Sequence, residues 1–331
     1  MLGLGIATGA LLPMVSASEV SRAVFQRLDT TDGLSGKSVA VVLQDREGQI
    51  WFGTSSGLDH FDGRTIRALR HDGQGDPSRD LKGISVTALC EDESGAIWIG
   101  TRAGGLRLLD ASRKRLQRVD GLGSASTGAE GDEGRRRRFD EIDCVATDAD
   151  GAVWVGTRGG LLRFEVGSAS RAEPPRASVE IDGAWVRTLF RSADDSLWIG
   201  TDGGDLYRLQ RGEQQAALID SFSTAVTALA SHHDGELWVG TSGGGVQHFG
   251  RRAGGDGWMR EPLHTSGHVD GVARSGGQVV AMPREITALP SDWRGDLWAG
   301  TLRAVFHWCR SEGRVELIEH DACDPTSLAG N

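Results

Sequence analysis

The sequence predicts an all-β protein built as a radial ring of four-stranded sheets, and three observations carry that prediction. Glycine makes up 48 of the 331 residues, about twice its usual share, and it weakens helix interiors while suiting tight turns. One segment recurs six times: QDREGQIWFGTSSG (44–57), EDESGAIWIGTRAGG (91–105), TDADGAVWVGTRGG (147–160), SADDSLWIGTDGG (192–204), HHDGELWVGTSGG (232–244) and DWRGDLWAGTLRA (292–304). Its tryptophans, Trp51, Trp98, Trp154, Trp198, Trp238 and Trp298, are spaced 47, 56, 44, 40 and 60 apart. The two longest gaps hold insertions at 121–138 and 251–280, which leaves a unit of about 40–45 residues, enough for four strands and their turns.

Each unit opens on a strand A. Twelve residues before the tryptophan stand Val39, Val86, Ile142, Val186, Val226 and Ile286, and nine before it Val42, Leu89, Val145, Leu189, Leu229 and Leu289. β-Branched and aliphatic side chains at fixed places suit a strand buried between neighbours. A D-x-x-G turn follows, whose acid (Asp45, Asp92, Asp148, Asp292) can accept hydrogen bonds from its own backbone. Strand B is the W-x-G-T segment. A Gly-rich turn leads to strand C, such as 58–62, and to strand D, such as 65–69. One such sheet cannot bury both faces; stacking sheets radially buries them, which makes a β-propeller of six four-stranded blades. The six tryptophans are then wedges between blades.

The ends and the departures refine this. FQRLD (25–29) reads as an extra N-terminal outer strand, and the tail 321–331 matches the D-to-A linker 75–84. The expectation is an incomplete seven-bladed ring that continues past the C-terminus; six closed blades with a spare strand is the alternative. Ser192 and His232 replace the turn acid in units four and five, and unit six has Ala299 and Leu302-Arg303 in place of the usual pattern, so those blades are expected to be irregular.

Forty-six acids against 36 bases give a net charge of −10, which repels a phosphate backbone and excludes nucleic acid as a partner. The run Arg135–Arg138 sits in a Gly/Ser/Glu-rich stretch and reads as a solvated loop. The apolar run 2–15 followed by Val15-Ser16-Ala17 resembles a signal peptide spanning 1–17, with the propeller occupying 18–331. Cys90 and Cys144 read as core residues; Cys309 and Cys323 have a spacing compatible with a disulfide in an oxidising compartment. Gly33–Ser38 imitates the end of a phosphate-binding loop, but Thr31 stands where that motif needs glycine and a strand follows. His232-His233 has no third ligand in view. No metal, cofactor or catalytic constellation is expected.

The unit V-x-x-[VL]-x-x-D-x-x-G-x-[IVL]-W-[IV]-G-T-x-x-G, and the opening 25–63 in particular, resembles the two-component regulator propeller repeat. That resemblance covers about 25–331 and implies the extracytoplasmic sensor region of a bacterial hybrid histidine kinase or diguanylate cyclase. It further implies a periplasmic setting, an inner-membrane anchor and an output domain outside these residues, homodimerisation of the full sensor, and a small carbohydrate-like ligand.

Propeller geometry indicates where a ligand would sit. The D-to-A and B-to-C loops meet on one face around the channel. They carry Trp185, Arg187, Arg102, Arg158, Asp202, Asp143 and Glu285. An aromatic beside arginines and acids can stack on a sugar while the charges hydrogen-bond its hydroxyls. A secreted protein-interaction scaffold, or a propeller polysaccharide lyase or glycosidase, are the competing classes.

Overall fold

The structure, a computed structural model, describes residues 28–69, 81–119, 139–165, 177–213, 215–231, 236–251, 257–261, 272–275, 278–281, 284–290, 296–301, 304–309 and 314–319. The segments 1–17, 25–27, 121–138, 232–233 and 321–331, the disulfide candidates and the extra N-terminal strand lie wholly or partly outside these residues. Blade 1 comprises β1 (Val39–Gln44), β2 (Ile50–Thr54), β3 (Gly57–Phe61) and β4 (Ile66–Ala68); blade 2 comprises β5 (Val86–Glu91), β6 (Ile97–Thr101), β7 (Leu106–Leu109) and β8 (Leu116–Arg118). Blade 3 is β9 (Ile142–Thr147), β10 (Val153–Thr157), β11 (Gly160–Phe164) and β12 (Ala177–Asp182). Blade 4 is β13 (Val186–Arg191), β14 (Leu197–Thr201), β15 (Asp205–Leu209) and β16 (Ala217–Ser221). Blade 5 is β17 (Val226–Ser231), β18 (Leu237–Thr241), β19 (Val246–Arg251) and β20 (Trp258–Glu261). A hairpin, β21 (Val272–Ser275) with β22 (Gln278–Ala281), is inserted before blade 6, which pairs β23 (Leu297–Gly300), β24 (Ala304–Cys309) and β25 (Arg314–Glu319). All pairing is antiparallel in chain order, the meander of a propeller blade.

Blade 6 is irregular, as its sequence leads one to expect. Among the described residues its first strand is represented by one bridge, Ala288 to Gly300. The reason is local: Pro290 accepts from the Trp298 N–H at 2.9 Å but has no N–H to return. Blades 4 and 5, also marked by turn substitutions, pair regularly.

Three devices repeat. The threonine of W-x-G-T closes the B-to-C turn, as Thr54 Oγ1 donates to the Gly57 carbonyl at 3.0 Å and Thr157 Oγ1 to Gly160 at 2.8 Å. The turn acid ties the tryptophan down: Asp45 Oδ2 accepts from Trp51 Nε1 at 2.8 Å, Asp92 from Trp98 at 2.8 Å and Asp148 from Trp154 at 2.9 Å. The glycine of W-x-G-T admits the next blade. A Cβ on Gly53, Gly100, Gly156, Gly200 or Gly240 would stand 2.4–2.7 Å from the Cγ of Val86, Ile142, Val186, Val226 or Ile286. Those five first-strand residues are at most 1% exposed.

Every buried cluster therefore straddles two blades. Trp51 packs with Val86, Leu89 and Ile97; Trp98 with Ile142 and Val153; Trp154 with Val186 and Leu197; Trp198 with Val226 and Leu237; Trp238 with Ile286 and Leu297. Among the described residues one interface is left over. Val39 is 39% exposed and Val42 57% exposed, Trp298 is only half-buried, and the atoms that a Cβ on Gly300 would meet all belong to its own blade.

Truncation of the wedges follows this division. Trp98→Ala is expected to cost about 3–5 kcal/mol, the usual penalty for removing a buried aromatic. Trp298→Ala is expected to cost less than half of that, and paired urea denaturation curves measure the difference. A second expectation concerns blade 4, where Ser192 holds the turn-acid position. Trp198 Nε1 there is buried and has no hydrogen-bond partner among the described residues. Ser192→Asp restores the acceptor and is expected to stabilise by about 1 kcal/mol, read as a raised melting temperature.

Candidate functional site

A β-bulge places the site residues. In each regular blade the register of strand A against strand B slips by one residue, between Val39 and Val41, Val86 and Ala88, Ile142 and Cys144, Val186 and Thr188, and Val226 and Ala228. The extra residues are Ala40, Thr87, Asp143, Arg187 and Thr227. A bulged residue leaves the ladder and its side chain is re-aimed. In blades 2 and 5 it reaches the following blade: Thr87 Oγ1 donates to the Ile142 carbonyl and Thr227 Oγ1 to the Ile286 carbonyl, both at 2.5 Å. First strands of successive blades lie against one another, β1 to β5 to β9 to β13 to β17, so these bulges sit on the inner, channel side of the ring.

Blades 3 and 4 replace the threonine with charge, and a cluster forms. Asp143 Oδ2 accepts from Trp185 Nε1 of the next blade at 2.5 Å. The guanidinium of Arg158 lies 4.2 Å from the Trp185 ring centre and that of Arg187 5.0 Å from it. Arg187 pairs with Asp202 at 3.1 Å, and Arg158 with Glu141 at 3.0 Å. Arg102, exposed at the blade 2 rim, is near enough for its charge to bear on Asp143. Six of the seven sequence-predicted residues thus converge at the mouth formed by blades 2, 3 and 4. Glu285, which opens blade 6, is exposed and nothing among the described residues ties it to the cluster.

The geometry alters the part assigned to Trp185. Its ring is already in contact with two guanidinium groups, so it orders Arg158 and Arg187 and bridges two blades through Asp143. The groups left facing solvent are the partly exposed arginines and their carboxylates. Such an array can hydrogen-bond a polyhydroxylated or anionic ligand bidentately. Sequence spacing pointed to these positions as candidates and gave no sign of the bulges. Among the described residues no group of three or more His, Cys, Asp and Glu is placed to hold a metal ion.

Burial raises the pKa of Asp143, opposed by the Trp185 N–H and by Arg187, Arg102 and Arg158. The folded chain therefore takes up this proton at a higher pH than the unfolded chain does. The stability that this group contributes falls as pH rises through the raised value. Asp143→Asn keeps an acceptor for Trp185 and is expected to melt above the parent at pH 7. The gap should close as pH drops toward the ordinary carboxylate value of 3.8, a trend that thermal denaturation from pH 4 to 8 measures.

Residues 33–56 and 80–103 match the family model described as "Two component regulator propeller". Over 51 residues the chain is 45% identical to histidine kinase P4 of Formosa agariphila, a stretch that covers 15% of this chain and 4% of that protein. The extracellular domain of the putative one-component system BT4673 from B. thetaiotaomicron superposes with a TM-score of 0.60 at 20% identity, over 93% of this chain and 36% of that one. Virginiamycin B lyase from Staphylococcus aureus superposes with a TM-score of 0.57 at 10% identity, over 85% of this chain and 83% of that one. At these identities both solved structures speak to the fold, a sensor propeller and a lyase propeller alike. By sequence, the first two strands of blades 1 and 2 carry the two-component regulator propeller repeat.

Proposed function

We propose that this chain is the ligand-sensing propeller of an extracytoplasmic sensor. It acts without catalysing a reaction and passes ligand occupancy to an output domain of the kinase or cyclase type that lies outside these residues. The observation that carries this reading is the channel-mouth cluster. At the bulge position blades 1, 2 and 5 carry the neutral Ala40, Thr87 and Thr227, whereas blades 3 and 4 carry Asp143 and Arg187 and add Trp185 beside them. The Asp143–Trp185 bond joins neighbouring blades as the hydroxyls of Thr87 and Thr227 do, and the charge of Arg187, Arg158, Asp202 and Glu141 around it exceeds what that joining needs. Repeats matching the regulator-propeller model support the sensory setting, and with it a periplasmic location and an anchor in the inner membrane. Among the described residues no helix is long and apolar enough to cross a membrane. The ligand is a small carbohydrate, its hydroxyls taken by Arg102, Arg158 and Arg187 and by the carboxylates of Asp202 and Glu141.

A second reading, a scaffold for a protein partner, has one observation in its favour: the exposed Val39 and Val42 of β1.

Thermal shift against a panel of neutral and acidic mono- and oligosaccharides separates the two. At a hundredfold excess over Kd a binder contributes ~2.7 kcal/mol, which for a chain of this size is about 4 °C. The sensing reading expects at least one sugar to give such a shift. It also expects Trp185→Ala to abolish the shift, each variant being compared with its own unliganded melting temperature because Trp185 also joins blades 3 and 4. A shift that survives Trp185→Ala, or a panel with no binder, overturns the assignment of this site.

A further inference from the structure

A second site lies away from the channel mouth, among the turns that precede the tryptophans. A cavity of about 400 Å³ opens between blades 3 and 4, within the ~300–1,000 Å³ range of small-molecule sites. Its floor is Trp154 with Leu197 and Leu209, and its walls include Asp148, Asp150, Asp195 and Glu213.

The corresponding groove between blades 1 and 2 shows what such a space accepts. There the C-to-D turn of blade 2 sends Arg113 back into the groove. Its guanidinium lies 5.5 Å from the centre of the Trp51 ring, and Nη2 pairs with Asp45 at 3.1 Å and with Glu91 at 3.2 Å. Nη1 donates to the Gly95 carbonyl, and the side chain is 16% exposed. Asp45 Oδ2 thus receives both the tryptophan N–H and a guanidinium N–H.

In blade 4 the same turn ends differently. Arg113 N donates to the Asp110 carbonyl at 2.9 Å, and Glu213 N donates to the Gln210 carbonyl at 3.0 Å, so Glu213 occupies the place of the arginine. An acid now stands where the plug originates, and the groove is open. Its tryptophan and turn acid are kept, with Trp154 Nε1 donating to Asp148 Oδ2 at 2.9 Å. Arg191 takes the place of Glu91 and is held on Asp195. Arg211 stays at the rim, 56% exposed, paired with Asp150 at 2.6 Å and with Asp195 at 3.6 Å. The guanidinium of Arg163 lies 5.6 Å from the Trp154 ring centre, at the cross-strand place that His60 holds beside Trp51, so the place of the Arg113 plug itself is the one left open.

We propose that the groove between blades 3 and 4 is a binding site for an organic cation, an alkylguanidinium or alkylammonium group, whose head lies over Trp154 against Asp148 as Arg113 lies over Trp51 against Asp45. Four carboxylates against Arg163 and Arg211 in the lining give the site its sign. An aromatic ring beside a carboxylate suits a cation more than a neutral polyol. The site is independent of the channel-mouth cluster and of the sensing role built on it.

Agmatine is the probe, titrated by calorimetry into the whole chain at low salt, with propionate as the anionic control. One saturable equivalent of agmatine per chain is expected, with propionate silent. Glu213→Arg supplies the missing plug and should weaken agmatine binding at least tenfold without lowering the melting temperature. Trp185→Ala should leave agmatine binding unchanged. Arg113→Ala opens the groove between blades 1 and 2 and should add a second equivalent. Absence of saturable binding up to 10 mM agmatine, or an affinity that Glu213→Arg leaves untouched, overturns the proposal. Should Arg113→Ala fail to fold, the Glu213→Arg comparison decides alone.

Discussion

The close approach of a β-branched side chain to a glycine on the preceding blade is the constraint on which the structure depends. A side chain at Gly156 would drive into Val186, and one at Gly200 into Val226. Because the Gly of W-x-G-T has no Cβ, the first strand of the next blade settles directly on the second strand of the one before. That distance then fixes where the tryptophan two residues earlier lands, and it lands on the same neighbour's inner strands. Blade spacing and the burial of the wedge therefore share one cause. The left-over interface shows the converse. Among the described residues none of another blade stands against Gly300, and Trp298 is half-buried; none of them offers Val39 a glycine to enter, and alternate positions of β1 are exposed.

The Asp-to-tryptophan bond adds a second layer, local rather than between blades. One carboxylate both closes its own turn and accepts the indole N–H, as Asp92 does for Ser94 N, Ala96 N and Trp98 Nε1. The ring's orientation is thereby fixed from within its own blade as well as by the neighbour that packs on it. Blade 4 shows that the layer is separable. Its turn lacks the acid, Asp195 adopts a left-handed backbone (φ 60°) where other turns use glycine, and Trp198 Nε1 goes without a partner among the described residues, yet its five-residue β14 is fully buried and regularly paired. The between-blade constraint holds the blade even when the local one fails.

Much of this was legible from the sequence because both constraints act on residue identity at fixed offsets. A glycine, a tryptophan and a β-branched residue, and in four of the units an acid, each meet a steric or hydrogen-bonding demand that no other residue type meets as well, so they stand out in six aligned copies. The six candidate residues gathered at the mouth were found the same way, by asking which residues follow W-x-G-T or open strand A. Two features were not visible. The bulge at Ala40, Thr87, Asp143, Arg187 and Thr227 places no demand on identity, since a residue expelled from the ladder can be small, hydroxylic or charged. The plug at Arg113 arises from a turn whose path differs between blades, and only side-chain position shows that it returns to Trp51. Pro290 was readable as a strand breaker, but its consequence, a first strand represented among the described residues by one bridge, depended on which backbone bond it would have made.

That same freedom at the bulge explains why chemistry collects there. A position inside the ladder must pack on a neighbour, and a position at W-x-G-T must admit one; either loses an interface when it changes. The bulged residue is excused from both duties, yet it lies on the innermost strand, one residue from a fully buried anchor such as Ile142 or Val186. Substitution of Thr by Asp or Arg there gives up one hydroxyl bond to the next blade and leaves the glycine contact intact. In blades 3 and 4 the lost bond is replaced by the Asp143–Trp185 contact across the same interface. The charged cluster is thus attached to the innermost strand of each blade, beside its most deeply buried residue, through a residue whose identity the fold does not dictate.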